Sequence, residues 1–132
     1  MALLSLEDVS VAIGQARPLD RLNLSVNRGE ILGIVGESGS GKSMTALAIM
    51  GLLHLIGGTV SAGSIRFDGE ELTRLPEARY RALRGKRMAL VTQNPMTSLD
   101  PIRTVGSQID QVGMLHLGLS AETARRRSIE IM

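Results

Sequence analysis

Glu30-Ile31-Leu32-Gly33-Ile34-Val35-Gly36-Glu37-Ser38-Gly39-Ser40-Gly41-Lys42-Ser43 is the stretch on which the reading of this chain turns. Its first half, Glu30 to Val35, is a nearly continuous apolar run of the kind found in strands buried on both faces. Its second half matches G-x-x-x-x-G-K-[ST] in full. Beyond it, Met44, Leu47, Ala48 and Leu52 fall at helical spacing, so Lys42 to Leu53 is expected to be a helix. Strand, glycine-rich turn and helix N-terminus, in that order, make an anion receptor. Glycines let the backbone turn at positive φ and come close to a ligand, so N–H groups from about Ser38 to Ser43 can converge on phosphate oxygens. The helix start adds its partial positive charge. Lys42 offers an ammonium for the β- and γ-phosphates, and the Ser43 hydroxyl offers a ligand for Mg²⁺. A Gly/Ser-rich turn that precedes a helix by accident is the plain alternative, and the flanking strand and helix count against it. The stretch implies binding of a nucleoside triphosphate.

Outward from this centre, Leu4, Leu6, Val9, Val11 and Ile13 stand in a broken period of two, as do Leu22, Leu24 and Val26, and both stretches are expected to be half-buried strands. Asn27-Arg28-Gly29 carries turn chemistry. Gly57-Gly58 and Gly63 mark a loop, Ser64 to Phe67 reads as a short strand, and Asp68-Gly69 as a tight turn. Pro76 is placed to open a short arginine-rich helix ending at Leu83. Met88 to Val91 is expected to be a second buried strand, broken by Gln93-Asn94-Pro95. Two helical stretches follow, about Thr104 to Leu117 and Ala121 onward, with Ser120 as the N-cap of the last. That helix stops at Met132 without a capping glycine, and the chain is expected to be a truncated one. No repeat or linker divides its 132 residues, one domain's worth of sequence.

Composition narrows the partners. Charged residues make up 21% and apolar ones 43%, ordinary globular usage, with a net charge of +2. Phe67 and Tyr80 are the only aromatic residues, which leaves little with which to stack nucleobases, so nucleic acid is not an expected partner. Lys42 and Lys86 are the only lysines, and one of them lies in the phosphate loop. No cysteine is present, as suits a reducing compartment, and Met1 to Val11 lacks the features of a secretory signal. The basic cluster of Arg74, Arg79, Arg81, Arg84, Lys86 and Arg87 is interleaved with Glu70, Glu71 and Glu77 and reads as a solvated face; Arg125 to Arg127 read the same way. His54 and His116 are assigned packing or surface roles, and the scattered methionines core filling.

Two strings together, GESGSGKS at Gly36 to Ser43 and QNPMTSLDP at Gln93 to Pro101, resemble the ATP-binding subunits of ABC importers, particularly the oligopeptide, dipeptide and nickel branch. The likeness runs nearly end to end and includes Gly63 to Gly69. It implies an α/β fold: a P-loop NTPase core of the ABC ATPase type, with a small antiparallel β portion and the start of a helical subdomain. Residues 1–132 would form the N-terminal part of a nucleotide-binding domain. ATP and Mg²⁺ are the implied cofactors, with nucleotide contacts from Gly36, Glu37, Ser38, Gly39, Ser40, Gly41, Lys42, Ser43 and Met44. Gln93 would be the Q-loop glutamine, reaching the Mg²⁺ and the attacking water; its amide offers donor and acceptor without adding negative charge. Lys42 and Gln93 are thus the implied catalytic pair, and Ser43 and Gln93 the implied metal contacts. Ile13 stands about where the family places an adenine-stacking aromatic, so base selectivity is expected to be looser. Thr92 replaces a bulky apolar residue.

The implied partners are transmembrane permease subunits, a second ATPase subunit and, indirectly, an extracytoplasmic substrate-binding protein. The implied location is cytoplasmic, peripheral on the inner face of the membrane. The family's LSGGQ-like signature, its strand ending in Asp-Glu and its switch histidine have no counterpart in the sequence. Two other readings stand beside this one. A small P-loop kinase or GTPase would use the same loop, although a guanine-reading Asn-Lys-x-Asp is absent. A non-hydrolysing nucleotide-binding fragment is the other.

Overall fold

A computed structural model describes residues 2–132, apart from the side chains of Pro95 and Met96. The chain divides into two compact units, one up to Tyr80 and one from Arg81 to Met132, and each is described by itself. The first is built on β1 (Leu4–Ile13), β2 (Ala16–Val26), β3 (Gly58–Phe67) and β4 (Glu70–Glu71), an antiparallel sheet in the order β2-β1-β3-β4. The alternating leucines and valines set the register: Leu6 lies opposite Leu24 on one side and Ile65 on the other, and Val11 opposite Leu19 and Val60. Leu6, Val9, Val11 and Ile65 are fully buried, as expected of one face of a half-buried sheet. Helix α1 (Lys42–Ile49) contacts β2 and β3 and buries Thr45 and Ala48. It is shorter than the spacing of its apolar residues suggests, because Gly51 turns left-handed at φ +64° and the chain passes into a 3₁₀ turn, Leu53–Ile56.

A kink crosses the sheet where its three long strands each carry a residue of positive φ: Asp8 at +49°, Arg21 at +49° and Gly63 at +88°. The register slips there in both ladders. Side chains satisfy the backbone that the bulges release. Asn23 Oδ1 accepts from the Asp8 amide at 2.9 Å, and Ser10 Oγ accepts from the Arg21 amide at 3.0 Å. Gly63 has no substitute, since a Cβ there would lie 2.5 Å from the Asp8 and Glu7 carbonyl oxygens. The sequence reading of Gly57 to Gly63 as loop is corrected accordingly, because β3 begins at Gly58 and Gly63 is a bulge inside it.

Two further expectations are corrected. Glu30 to Val35 and Met88 to Val91, both read as buried strands, form no ladder among the described residues; Ile31 is 98% exposed, Val35 94% and Val91 87%. The residue chemistry is that of strands, but a strand exists only where a neighbour accepts its backbone hydrogen bonds, and the strands of this sheet pair among themselves. Met88 alone is buried and makes an isolated parallel bridge with Arg84. The parallel portion of the expected core is limited to that bridge among the described residues.

Helix α2 (Glu77–Leu83) follows Pro76, as its sequence requires. The second unit is dominated by α3 (Val105–Leu117) and α4 (Ala121–Ile131), which pack on each other. Both start on capping side chains: Thr104 Oγ1 accepts from the Ser107 amide at 3.3 Å, and Ser120 Oγ from the Thr123 amide at 3.2 Å. A 3₁₀ turn, Pro95–Ser98, precedes them. No helix among the described residues is long and apolar enough to cross a membrane.

Glu71 fastens the last hairpin. Its Oε1 accepts from the Ile65 and Thr73 amides, each at 3.2 Å, and from Thr73 Oγ1 at 2.6 Å, while its Oε2 accepts from Ser64 Oγ. Burial alone would raise its pKa; the hydrogen bonds from Ser64, Thr73 and Ile65 outweigh it and lower the carboxyl from 4.5 to about 2. A depressed folded-state pKa gives stability that is whole above about pH 4.5 and is lost as pH falls toward 2. Urea midpoints measured across that window should therefore fall more steeply for the wild type than for Glu71→Gln, and parallel curves would refute the role. Gly63→Ala should cost about 1–3 kcal/mol from backbone conformation alone, with the carbonyl clash added, as read by urea denaturation at neutral pH.

Candidate phosphate-binding site

The glycine-rich loop is fixed to the sheet at one point of close approach. Gly41, the N-cap of α1, has φ +89° and is buried against β2, where a Cβ would meet Leu19 Cδ2 at 2.4 Å and the Pro18 carbonyl oxygen at 3.0 Å. Any side chain would push the helix start off the strand. The Gly41 carbonyl is fixed in turn, accepting from the Thr45 amide at 2.9 Å and Thr45 Oγ1 at 3.0 Å. With its N-cap on β2 and its first turn locked by buried Thr45, α1 presents its N-terminal amides in a set direction.

Lys42, the first residue of the helix, is half-buried and folds back over the loop. Its Nζ donates to the Gly36 carbonyl at 2.7 Å, the Glu37 carbonyl at 2.6 Å and Ser40 Oγ at 3.2 Å. An ammonium has three protons, so this set closes the loop into a ring around one cation. The Ser40 amide donates to the Glu37 carbonyl at 3.2 Å, which tightens the ring and takes that amide out of the converging set expected from Ser38 to Ser43. Among the described residues, no protein group accepts from the amides of Gly39, Gly41, Lys42 or Ser43. These donors, with no acidic residue in the first helical turn to occupy them, are oriented for an anion.

Ser43 is exposed beside these amides in sequence, and Met44 is half-buried on the helix. Beneath the loop, a cavity of about 450 Å³ lies between Leu19, Leu22 and Leu24 of β2, Ile34, and the side of α1 carrying Lys42 and Thr45. Ile13 does not line it. It pairs with Ala16 and Gly58 at the β1–β2 hairpin end, packed so that a Cβ on Gly58 would meet its Cγ1 at 3.1 Å. No group of three or more His, Asp or Glu side chains that could hold a metal occurs among the described residues.

Gln93 lies in the second unit and is exposed. It is flanked by a closed turn. Asn94 O accepts from the Thr97 amide at 3.3 Å and from Thr97 Oγ1 at 2.8 Å, and Thr92 Oγ1 lies 2.7 Å from Ser98 Oγ. Thr92, which reads in the sequence as a departure from the apolar pattern, is thus a turn-closing hydroxyl. Sequence reasoning also missed Gln108, whose side chain binds the segment after this turn; its spacing from Asp100 carries no signal that periodicity could detect. The side chains of Pro95 and Met96 in the same string lie outside the described residues.

The ABC transporter family profile matches residues 19–131. The dipeptide transport ATP-binding protein DppD of Escherichia coli strain K12 is 45% identical over all of this chain, which covers 41% of that protein. The oligopeptide transport ATP-binding protein OppD of the same organism is 43% identical over 99% of the chain and 40% of its own length. The oligopeptide transport ATP-binding protein AppD of Bacillus subtilis strain 168 is 40% identical over 86% of the chain. The chain thus spans about two fifths of the length of the curated relatives DppD and OppD. Among solved structures, the dimeric ATP-binding cassette MJ0796 in a post-hydrolysis state bound to ADP and Pi superposes with a TM-score of 0.81 at 24% identity, over 96% of this chain and 54% of that one. That likeness fixes the fold. With the family profile covering residues 19–131, this chain belongs to the ABC transporter family, as an α/β portion of the ABC ATPase fold.

Proposed function

We propose that this chain is the phosphate-binding part of an ATPase subunit that drives import of peptides or a related small substrate. The observation that carries the reading is the ring around Lys42, beside amides at the start of α1 from which no described protein group accepts. DppD and OppD, a dipeptide and an oligopeptide transport ATP-binding protein, support the nucleotide and the substrate class. The kinase and GTPase readings lose their ground, because the loop belongs to a chain of ABC family sequence from residue 19 onward.

The residues suit Mg-ATP. Amides of Gly39, Gly41, Lys42 and Ser43 would receive the β-phosphate oxygens, and Lys42 would turn toward the γ-phosphate. Mg²⁺ would take the Ser43 hydroxyl, with Gln93 as a second neutral ligand, and complete its shell with phosphate oxygen and water; a protein site without a carboxylate cluster fits a cation that arrives with its phosphates. When bound, the cation supplies charge neutralisation for phosphoryl transfer. Lys42 has no spare proton in the ring, so contact with a phosphate requires one bond to be given up. The longest, to Ser40 Oγ at 3.2 Å, is the one to yield, since the carbonyl bonds at 2.7 and 2.6 Å are shorter.

Hydrolysis is assigned to a pair of subunits, each completing the other's site, working with membrane permeases and an extracytoplasmic binding protein at the inner face of the membrane. MJ0796, which is dimeric, is a precedent for the pairing in the fold. The sequence contains no signature motif and no strand ending in Asp-Glu, so the 132-residue chain alone should bind Mg-nucleotide and turn it over negligibly. Titration by calorimetry, with ATP, GTP and Mg²⁺ varied separately, tests the site. Lys42→Ala should weaken ATP binding by at least about tenfold, the worth of one charge-assisted contact. Ser40→Ala should hold or improve affinity because it frees one ammonium proton. Equal affinities in wild type and Lys42→Ala would remove the basis of the proposal.

A further inference from the structure

Gln108 of α3 binds the loop that follows Gln93. Its carboxamide makes three bonds to backbone: Oε1 accepts from the Asp100 amide at 3.0 Å, and Nε2 donates to the Asp100 carbonyl at 3.1 Å and to the Arg103 carbonyl at 3.1 Å. Both polar groups of one residue are thus held by one planar amide. Asp100 precedes Pro101, which already confines it to extended backbone, so little freedom is left to it. The Asp100 carboxylate turns inward on the same segment, where Oδ1 accepts from the Ile102 amide at 2.9 Å. Arg103 adds a second strap, with NH1 donating to Gln111 Oε1 at 2.5 Å.

Upstream, the turn bonds of Thr92, Asn94, Thr97 and Ser98 make residues 92–98 one closed unit, and only Leu99 separates Ser98 from the clamped Asp100. Gln93 lies inside that unit. At the other end, α3 is tied to α4 by Arg125 and Asp110, NH1 to Oδ2 at 3.6 Å, and by the packing of the helix pair. The geometry points to Gln108 as a positioning residue for Gln93: it joins the Gln93 turn to α3 as one rigid piece, so that the place of the Gln93 amide is set by the helix rather than by a free loop. This rests on the metal-contacting role proposed for Gln93. Gln108 itself touches no nucleotide group in this scheme. Only a side chain that both donates and accepts, with the reach of two methylenes, makes all three bonds; Glu keeps one acceptor and sets a charge against two carbonyls, and Asn is too short.

Two readouts test it. In the 132-residue chain, amide hydrogen exchange at Asp100 and Ile102 should quicken by about tenfold in Gln108→Ala, with β1 to β3 unchanged. In nucleotide titrations, Gln108→Ala should leave Mg²⁺-free ATP binding intact and lose the same Mg²⁺-dependent gain that Gln93→Ala loses. The double variant should then be no weaker than Gln93→Ala. A helix-stabilising role for Gln108 alone would not produce that non-additivity. Unchanged exchange at Asp100 would overturn the clamp, and additive losses would overturn the positioning. If the wild type shows no nucleotide binding, the functional proposal falls and the exchange experiment still decides the clamp. Should Gln108→Ala fail to fold, Gln108→Met, which keeps the length and helix preference of the side chain and none of its three bonds, is to be measured in its place with the same two outcomes.

Discussion

Contact between Gly41 and the Pro18–Leu19 backbone and side chain is the constraint from which the phosphate loop takes its form. It brings a helix N-terminus onto an antiparallel strand at a distance that no Cβ allows, and it therefore fixes where the free amides of α1 lie relative to the sheet. The ring around Lys42 depends on it as well. Lys42 can reach back to Gly36 and Glu37 only because the turn at Gly41 reverses the chain just before the helix begins. Glu30 to Val35, just before the loop, is exposed and in no ladder, while the ring around Lys42 beyond it is closed.

What the sequence made legible follows from how local each signal is. The strands β1 and β2 could be read from a period of two, since side-chain alternation is a property of the segment itself. Caps at Thr104 and Ser120 lie within one turn of the amides they serve, and the loop motif places its lysine and glycines by covalent spacing alone. The pairing of Glu30 to Val35 and Met88 to Val91 was not legible in this sense. Apolar composition shows that a surface is suited to burial, and the partner that buries it is a matter of the rest of the fold; covering a side chain such as Ile31 is worth roughly 1.5–3 kcal/mol wherever that cover comes from. Gly63 shows the same limit from the other side. A glycine that reads as loop punctuation is a bulge in mid-strand, because the residue it must avoid, Asp8, lies far off in sequence.

Of the candidate site, the loop residues were legible and their interior bonding was not. The motif names Ser40 only as a variable position, yet its hydroxyl and amide both take part in closing the ring. Thr92 and Gln108 illustrate a related gap. Each has a role made entirely of hydrogen bonds to backbone or hydroxyl groups several residues away, and such roles leave no periodic trace. Ile13, to which the family resemblance assigns a place beside a base, stands at the β1–β2 hairpin end, paired with Ala16 and Gly58.

Charge supplies the last step. The chain carries an excess of two positive charges, and five of its thirteen arginines stand beside carboxylates: Arg17 with Asp20, Arg28 with Asp68, Arg66 with Glu71, Arg79 with Glu70 and Arg125 with Asp110. Exposed pairs of this kind add little stability, about 0–1 kcal/mol each, and their chief effect here is to cancel one another's field beyond a Debye length of about 8–10 Å. In the proposed function a polyphosphate would be held at short range, by the Lys42 ammonium and by the amides of Gly39, Gly41, Lys42 and Ser43, next to the start of α1 that Gly41 and Thr45 fix.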